Sequence, residues 1–236
     1  MGAIGDNLQA VRQRIALAAG GAGRDVGSVA LLAVSKTFGV QAVRTAWAAG
    51  QRAFGESYVQ EALDKMSLLE DLSIEWHYIG PLQSNKSRVV AERFDWVHSI
   101  SSLKTAQRLS LQRPADRAPL SVCLQVNVDA EASKAGVAES ELMALALAVA
   151  ALPRLRLRGL MCIPAPATGI EAQRAAFAKL RAMQQRLIAE GLALDTLSMG
   201  MSDDLEAAIL EGSTWVRVGT AIFGVRPGAP IDLALA

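Results

Sequence analysis

Apolar and polar residues follow a helical period near the start of the chain. Within residues 6–19, apolar side chains recur at spacings of three, four and three, which places them on one helical stripe. The residues of this stripe are Leu8, Val11, Ile15 and Ala18. Asp6 is the predicted N-cap, and Gly20-Gly21 is the predicted end. We therefore expect an amphipathic helix ahead of the fold that follows.

After this helix, short apolar runs alternate with longer segments of helical period. The runs predicted as strands are residues 30–35, 52–55, 74–80, 96–99, 120–127, 155–163, 193–198 and 214–219. Two of the predicted helices, residues 57–70 and 171–188, place apolar side chains on one face each. Gly191 follows the second of them as a predicted helix stop. The chain thus has the repeating order of strand and helix.

Strand-then-helix alternation predicts parallel strands joined by crossover helices. Eight such units in 236 residues match the size of an α/β fold, the (β/α)₈ TIM barrel, which has about 250 residues. A doubly wound open sheet is the alternative. No linker or low-complexity tract divides the chain, so we expect residues 1–236 to form a single domain with an extra N-terminal helix.

Composition narrows the class of protein. The chain is 51% hydrophobic and 20% charged, which excludes intrinsic disorder. Its formal net charge of +1 argues against a broad nucleic-acid surface. The longest apolar run, residues 142–152, is about half the ~20 residues that a membrane helix needs, and the amino terminus lacks a signal-peptide pattern. Two cysteines are too few for a disulfide framework, which indicates a reducing compartment. We therefore expect a soluble cytoplasmic protein.

Function in such barrels collects at the carboxyl ends of the strands. Lys36 directly follows an apolar run, where an ammonium is costly to desolvate. One interpretation is that its side chain exits to solvent just past the strand. The other is a desolvated amine with a lowered pKa, which is suited to forming a Schiff base with a carbonyl compound.

Small residues follow the last two predicted strands. Ser198, Gly200 and Ser202 come after strand seven, and residues 217–220 offer a second small-residue turn after strand eight. Loops in these positions of TIM barrels often bind phosphate, and backbone amides there approach an anion closely. The alternative is that Ser202 is an ordinary N-cap of a helix whose first turn holds two aspartates. A phosphate site is the best-supported ligand feature.

The remaining candidate groups give no catalytic pattern of their own. His77 and His98 are the only histidines, and their spacing matches no zinc motif, so we expect no metal site. His77 by itself is typical of a hydrogen-bonded strand residue. Cys123 and Cys162 have the pattern of small buried hydrophobes rather than nucleophiles.

Several longer segments together resemble one known family. They are residues 31–37, 54–61, 76–86, 125–128, 131–136, 159–166 and 197–224, including Leu-Leu-Ala-Val-Ser-Lys-Thr and Trp-His-Tyr-Ile-Gly-Pro-Leu-Gln-Ser-Asn-Lys. The chain resembles the pyridoxal phosphate homeostasis proteins, whose fold is similar to the amino-terminal barrel of bacterial alanine racemase. The resemblance covers nearly the whole chain.

This resemblance implies roles for particular residues. Lys36 matches the lysine that holds pyridoxal 5'-phosphate as a Schiff base, and Arg217 matches the arginine that faces the pyridine nitrogen. The residues that match the family's phosphate contacts are Ser198, Ser202, Gly219 and Thr220. The other residues expected in the cofactor pocket are His77, Met161 and Ser57, the last in place of the family's usual Asn.

The resemblance also implies a function. We expect a monomeric protein that stores pyridoxal phosphate or delivers it to apo-enzymes, without efficient turnover. Arg217 is always protonated and only donates, which leaves the ring nitrogen a weaker electron sink. We also expect no second domain with the tyrosine base of racemases. The alternatives are a racemase with Lys36 and His77 or a tyrosine as its bases, and a Schiff-base aldolase acting on a phosphorylated sugar.

Overall fold

Eight parallel strands close into a barrel within the described residues, 2–131 and 134–225, of a computed structural model. Each strand pairs with the next in chain order, and β8 pairs with β1 to close the sheet. The strands are β1 Ala30–Val34, β2 Ala53–Glu56, β3 Glu75–Tyr78, β4 Trp96–Ile100, β5 Leu120–Gln125, β6 Leu155–Met161, β7 Thr196–Ser198 and β8 Trp215–Val218. The predicted (β/α)₈ barrel is confirmed, and the open sheet is wrong.

Helices surround the strands in the expected alternation. In the described part of the chain they are α1 Ala3–Gly21, α2 Val40–Ala48, α3 Val59–Leu68, α4 Ser87–Arg93, α5 Leu103–Gln112, α6 Glu139–Ala150, α7 Ile170–Ala189, α8 Leu205–Leu210 and α9 Thr220–Phe223. Short 3₁₀ helices at Val26–Ser28 and Ser84–Lys86 complete the chain path. Gly191 follows α7 with a φ of +92°, which agrees with its predicted role as a helix stop.

The helix that precedes β1 is longer than the apolar stripe predicts. It begins at Ala3 with Gly2 as its N-cap, so the prediction that Asp6 caps it is wrong. Asp6 lies in the first turn, where its charge favours the helix dipole. Gly5 is buried one turn ahead of Leu8, because the packed face continues toward the amino terminus. Packing, rather than a capping side chain, sets where α1 begins.

Two apolar layers form the core. The larger lies between the strands and the helices, and it includes residues such as Phe54, Phe94 and Phe177. Inside the barrel, Trp96 packs with Cys123 and Met161 in a separate cluster. Because the strands run parallel and in order, the carboxyl ends of all eight gather at one rim of the barrel.

The close approach of β6 and β7 depends on Gly159. A Cβ atom built at this position would lie 1.8 Å from the backbone oxygen of Thr196, so only glycine fits between these strands. No helix in the described ranges is both long enough and apolar enough to cross a membrane.

Candidate functional site

A cavity of about 460 Å³ opens at the carboxyl rim of the barrel. Its volume lies within the about 300–1,000 Å³ typical of small-molecule sites. The residues that line it are Arg14, Val34, Lys36, Phe38, Ile79, Ile163, Met201, Ser202, Asp203, Arg217, Gly219, Thr220 and Ala221. The cavity therefore brings together a lysine from the end of β1 and the turns that follow β7 and β8, as the order of the elements predicts.

Five of the predicted site residues line this cavity. They are Lys36, Ser202, Arg217, Gly219 and Thr220. Gly219 is packed tightly, since a Cβ atom there would meet the Val34 carbonyl oxygen at 3.2 Å. The other four predicted residues lie outside the lining, and each is placed below. The motif at residues 131–136 includes positions 132 and 133, which lie outside the described residues.

Lys36 sits in a backbone turn that is held on both sides. Thr37 adopts a φ of +71°, which is uncommon for a β-branched residue. Its N–H donates to Glu61 Oε1 at 2.6 Å. On the other side, the Ser35 carbonyl accepts from Lys65 Nζ at 2.7 Å. These bonds fix the backbone direction from which the Lys36 side chain leaves the strand.

Lys65 links both supports in one buried ion cluster. Its ammonium donates to Glu56 Oε1 at 2.8 Å and to Glu61 Oε1 at 2.5 Å. Glu56 also accepts from the Ser35 hydroxyl at 2.6 Å. Burial raises the pKa of Glu56, while the charge of Lys65 acts against that rise. No local sequence pattern predicts this cluster, although Lys65 interrupts the apolar face of α3 beside Met66.

The turn after β7 is formed by glycine geometry. Gly200 has a φ of +94°, and a Cβ atom there would lie 2.6 Å from the Cβ of Ala208. Met201 N–H donates to Asp204 Oδ1 at 2.6 Å, which directs that carboxylate into its own turn. The helix that follows starts at Leu205 with Asp204 as its N-cap. The interpretation of Ser202 as an N-cap is therefore wrong, and its hydroxyl belongs to the turn that lines the cavity.

The N-terminal helix also reaches the cavity. Arg14 Nη2 donates to the Ser202 carbonyl at 2.9 Å. The guanidinium also makes a bidentate pair of hydrogen bonds to the Glu206 carboxylate, at 2.7 and 2.9 Å. The bond to Glu206 raises the pKa of Arg14. The sequence does not single out Arg14 for this contact, because an arginine on the polar side of a helix is common in solvated helices.

Arg217 is buried and held by three acceptors. Nη1 donates to the Ser198 carbonyl at 2.6 Å and to the Ser198 hydroxyl at 2.9 Å. Nη2 donates to the Cys162 carbonyl at 2.9 Å. Burial lowers the pKa of Arg217, but a guanidinium stays protonated at neutral pH. Arg217 is therefore a fixed cation and donor at the floor of the cavity.

Ser198 lies below the cavity. Its hydroxyl is bonded to Arg217 and to His98 Nδ1, at 2.9 and 2.7 Å, so it contacts the arginine rather than the lining. A direct phosphate contact by Ser198 stays a prediction.

His77, Met161 and Ser57 also lie outside the lining. His77 is fully buried in the barrel, stacked on Trp96 with ring centroids 5.4 Å apart. Met161 packs in the interior apolar cluster, and Ser57 is half-buried after β2, where its carbonyl accepts from the Tyr78 hydroxyl at 3.3 Å. Their roles as pocket residues stay predictions. Across the described ranges, no three His, Cys, Asp or Glu side chains are grouped as a metal site.

Comparison with known proteins adds sequence relatives. The profile of the family described as the alanine racemase N-terminal domain matches residues 6–227. A pyridoxal phosphate homeostasis protein of Pseudomonas aeruginosa is 62% identical over 231 residues, which are 98% of this chain and 99% of that protein. A protein of the same name from Escherichia coli K12 is 52% identical, over 96% of this chain and 98% of its own length.

Solved structures add relatives of the same fold. PipY of Synechococcus elongatus with PLP bound is similar, with a TM-score of 0.83 and 39% identity, over 94% of this chain and 100% of PipY. Alanine racemase of Corynebacterium glutamicum has a TM-score of 0.70 at 22% identity, over 99% of this chain and 64% of the racemase. The second likeness is one of fold.

Proposed function

The chain belongs to the pyridoxal phosphate homeostasis protein family, and we propose that it binds pyridoxal 5'-phosphate and holds it without efficient turnover. The observation that carries this proposal is the grouping of three donor types in one cavity: the Lys36 amine, the Ser202 and Thr220 hydroxyls, and the Arg217 guanidinium. Further support comes from PipY, a relative of 39% identity whose solved structure holds PLP.

The residues of the cavity fit the chemistry of this cofactor. An aldehyde needs an amine, a phosphate needs hydroxyl and backbone donors, and a pyridine nitrogen needs a donor in the ring plane. The amine comes from Lys36, and the phosphate donors come from the turns that contain Ser202 and Thr220. The donor for the pyridine nitrogen comes from Arg217. Gly219 allows the backbone after β8 to pack close to β1, so the turn and the lysine stay near each other.

When bound, the cofactor would supply an aldehyde, the group that forms a Schiff base with a primary amine. Lys36 would hold it through its side-chain amine. Ser202 and Thr220 are proposed to donate to the phosphate. Arg217 is proposed to donate a hydrogen bond to the pyridine nitrogen, and because it keeps its proton, that nitrogen stays unprotonated.

This assignment limits catalysis. An unprotonated ring nitrogen is a poor electron sink, so carbanion chemistry at a bound amino acid receives little stabilisation. A racemase also needs a second base opposite the lysine. Among the described residues that line the cavity there is neither a histidine nor a tyrosine, and burial lowers the pKa of His77. Among these lining residues, the racemase alternative therefore lacks the histidine or tyrosine that it assigns as the second base.

The same proposal gives the protein a cellular role. A cofactor held by Lys36 would be withheld from stray amines, yet it would stay available to the lysine of another protein. We propose that the receivers are apo-enzymes that use pyridoxal phosphate, and that this single-domain protein acts in the cytoplasm as a monomer. Light scattering of the cofactor-loaded protein tests its mass.

The decisive experiment combines borohydride reduction with peptide mass spectrometry. The purified protein is titrated with pyridoxal phosphate, reduced and digested, and we expect the pyridoxyl group on Lys36. Lys36→Ala should lose both the adduct and the Schiff-base absorbance. Lys104→Ala is the matched control, because Lys104 is exposed on α5. Retention of the absorbance in Lys36→Ala would refute the assignment.

The two alternatives are tested on the same preparation. Holo-protein is incubated with single amino-acid enantiomers in deuterated water, and we expect no exchange of the α-hydrogen. Fast exchange would support the racemase and overturn the storage role. Reduction in the presence of phosphorylated sugars should still label Lys36 with pyridoxyl, whereas a sugar adduct would support the aldolase.

A further inference from the structure

A line of polar side chains crosses the barrel interior and ends at Arg217. It consists of Glu75, His77, His98, Ser198 and Arg217. His77 Nδ1 is 2.9 Å from His98 Nε2, and His98 Nδ1 is 2.7 Å from the Ser198 hydroxyl. His98 lies on β4 and Ser198 on β7, strands that are not neighbours, so this bond spans the barrel. The line connects the amino end of the barrel with the floor of the cavity.

The arginine end sets the direction of every bond. Arg217 can only donate, so the Ser198 hydroxyl oxygen accepts from it. The hydrogen of that hydroxyl then needs an acceptor, and His98 Nδ1 is the ring nitrogen within reach. His98 therefore carries its hydrogen on Nε2 and donates to His77 Nδ1. His77 in turn carries its hydrogen on Nε2.

The carboxylate end sets the same direction independently. Glu75 Oε1 lies 3.6 Å from His77 Nε2, longer than a hydrogen bond but close enough for its charge to favour a hydrogen on that nitrogen. Trp96 Nε1 donates to the same oxygen at 2.6 Å and holds the carboxylate in place. The interaction with His77 lowers the pKa of Glu75, so this end stays ionised at neutral pH. The carboxylate end thus favours the same tautomers that the arginine end requires.

We propose that Glu75, His77 and His98 are positioning residues for Arg217, because they fix the Ser198 hydroxyl as an acceptor that faces the guanidinium. This inference rests on the proposed function, in which Arg217 serves the pyridine nitrogen. A reversed Ser198 hydroxyl would point its hydrogen at a cation. The directed line prevents that arrangement and leaves one orientation of the guanidinium, with Nη1 on Ser198 and Nη2 on the Cys162 carbonyl.

The first test reads the tautomers directly in the protein without cofactor. The chain has two histidines, so long-range proton–nitrogen spectra of histidine-labelled protein contain two rings. We expect both rings to be neutral at pH 7.5 with the hydrogen on Nε2. A hydrogen on Nδ1 of either ring would overturn the directed line. This result does not depend on whether the cofactor binds.

The second test asks whether the line positions Arg217. His98→Leu removes the acceptor for Ser198, whereas His98→Asn places an amide oxygen near the Nδ1 position. We expect His98→Leu to shift the absorbance maximum of bound pyridoxal phosphate and to weaken its affinity about tenfold. His98→Asn should restore both. An unchanged spectrum and affinity in His98→Leu would overturn the proposal.

A further variant keeps the proposal testable if His98→Leu fails to fold. Ser198→Ala retains the strand and removes only the hydroxyl, and we expect the same shift of the absorbance maximum. Ser198→Ala with the wild-type spectrum would overturn the proposal. If the wild-type protein itself binds no pyridoxal phosphate, the proposed function fails while the tautomer spectra still decide the direction of the line.

Discussion

Lys65 Nζ lies 2.7 Å from the carbonyl oxygen of Ser35, so a buried ammonium is bonded to the backbone immediately ahead of Lys36. The same ammonium contacts Glu61, which accepts from the N–H of Thr37 on the other side. Lys36 is therefore flanked by two peptide groups that one ion cluster holds. The geometry of the proposed Schiff-base lysine depends on a second lysine that does not line the cavity.

Replacing the buried lysine should affect both stability and cofactor binding. Lys65→Met leaves Glu56 as a buried carboxylate without its ammonium, and we expect the free energy of unfolding to fall by about 3 kcal/mol. Pyridoxal phosphate should also bind more weakly, because the turn around Lys36 loses its support. Urea denaturation and a cofactor titration measure the two effects.

Two further variants separate the causes in that experiment. Lys104→Met, on the exposed face of α5, should change neither quantity. Glu56→Gln in the Lys65→Met background removes the stranded charge and should recover part of the lost stability. Wild-type affinity in a folded Lys65→Met protein would contradict the positioning role of Lys65.

The two histidines predict how stability depends on pH. Burial lowers the pKa of His77 and lowers that of His98 well below its ordinary value. In the unfolded chain both titrate near about 6.5. Below that pH the unfolded chain binds protons that the folded barrel does not, so the free energy of unfolding falls as the pH falls. The expected slope is up to about 1.4 kcal/mol per pH unit for each histidine.

Urea denaturation between pH 8 and 5 measures this slope. Burial raises the pKa of Glu56, so its protonation favours the folded state as the pH falls and acts in the opposite direction to the histidines. No other histidine contributes, since the chain has only two. A free energy of unfolding that stays constant from pH 8 to 5 would show that the buried pair accepts protons in the folded state.

The cysteines should be inert in the folded protein. Burial raises the pKa of Cys123 and of Cys162 to about 12. At pH 8 the thiolate fraction is on the order of 10⁻⁴, and both side chains are shielded from reagent. We expect Ellman's reagent to report two thiols in urea and almost none in native buffer. Rapid modification of the native protein would contradict the burial of these thiols.

A pair of glycines isolates the contribution of the turn after β7. Gly200 and Gly191 have almost the same φ, +94° and +92° respectively. A Cβ atom built at Gly200 would lie 2.6 Å from the Cβ of Ala208, whereas one built at Gly191 would have no atom within 4 Å. Gly191→Ala should cost about 1–2 kcal/mol from backbone strain. Gly200→Ala should cost about 1–3 kcal/mol more, because it adds a steric clash, and should weaken cofactor binding. Equal losses of stability would argue against the clash.

The barrel could be predicted because its strands and helices differ in hydrophobic period along the whole chain. The predicted strand bounds differ from the structure where apolar residues lie in turns. The prediction of residues 193–198 as a strand is an example, because β7 spans only Thr196–Ser198. Leu194 N–H donates to the Leu192 carbonyl in a tight turn, and the apolar pattern does not distinguish this from extended backbone.

Five residues of the cavity could be predicted from the sequence, because they follow the ends of strands, whereas the residues that support them could not. Lys65 and Ser35 are 30 residues apart, and His98 and Ser198 are 100 apart. Such pairs form only when the barrel closes, so no local pattern identifies them. The available hints were a charged Lys65 on the apolar face of α3 and a polar His98 at an inward position of β4.

The bond from Arg14 to the Ser202 carbonyl joins the first helix to a turn 188 residues later. The pairing of β1 with β8 has the same long reach. During synthesis, the segment that carries Lys36 leaves the ribosome well before the turn that completes the cavity. With Lys36 as the proposed Schiff-base lysine, a growing chain has the amine but not yet the cavity around it. We therefore expect cofactor loading to report that the barrel has closed.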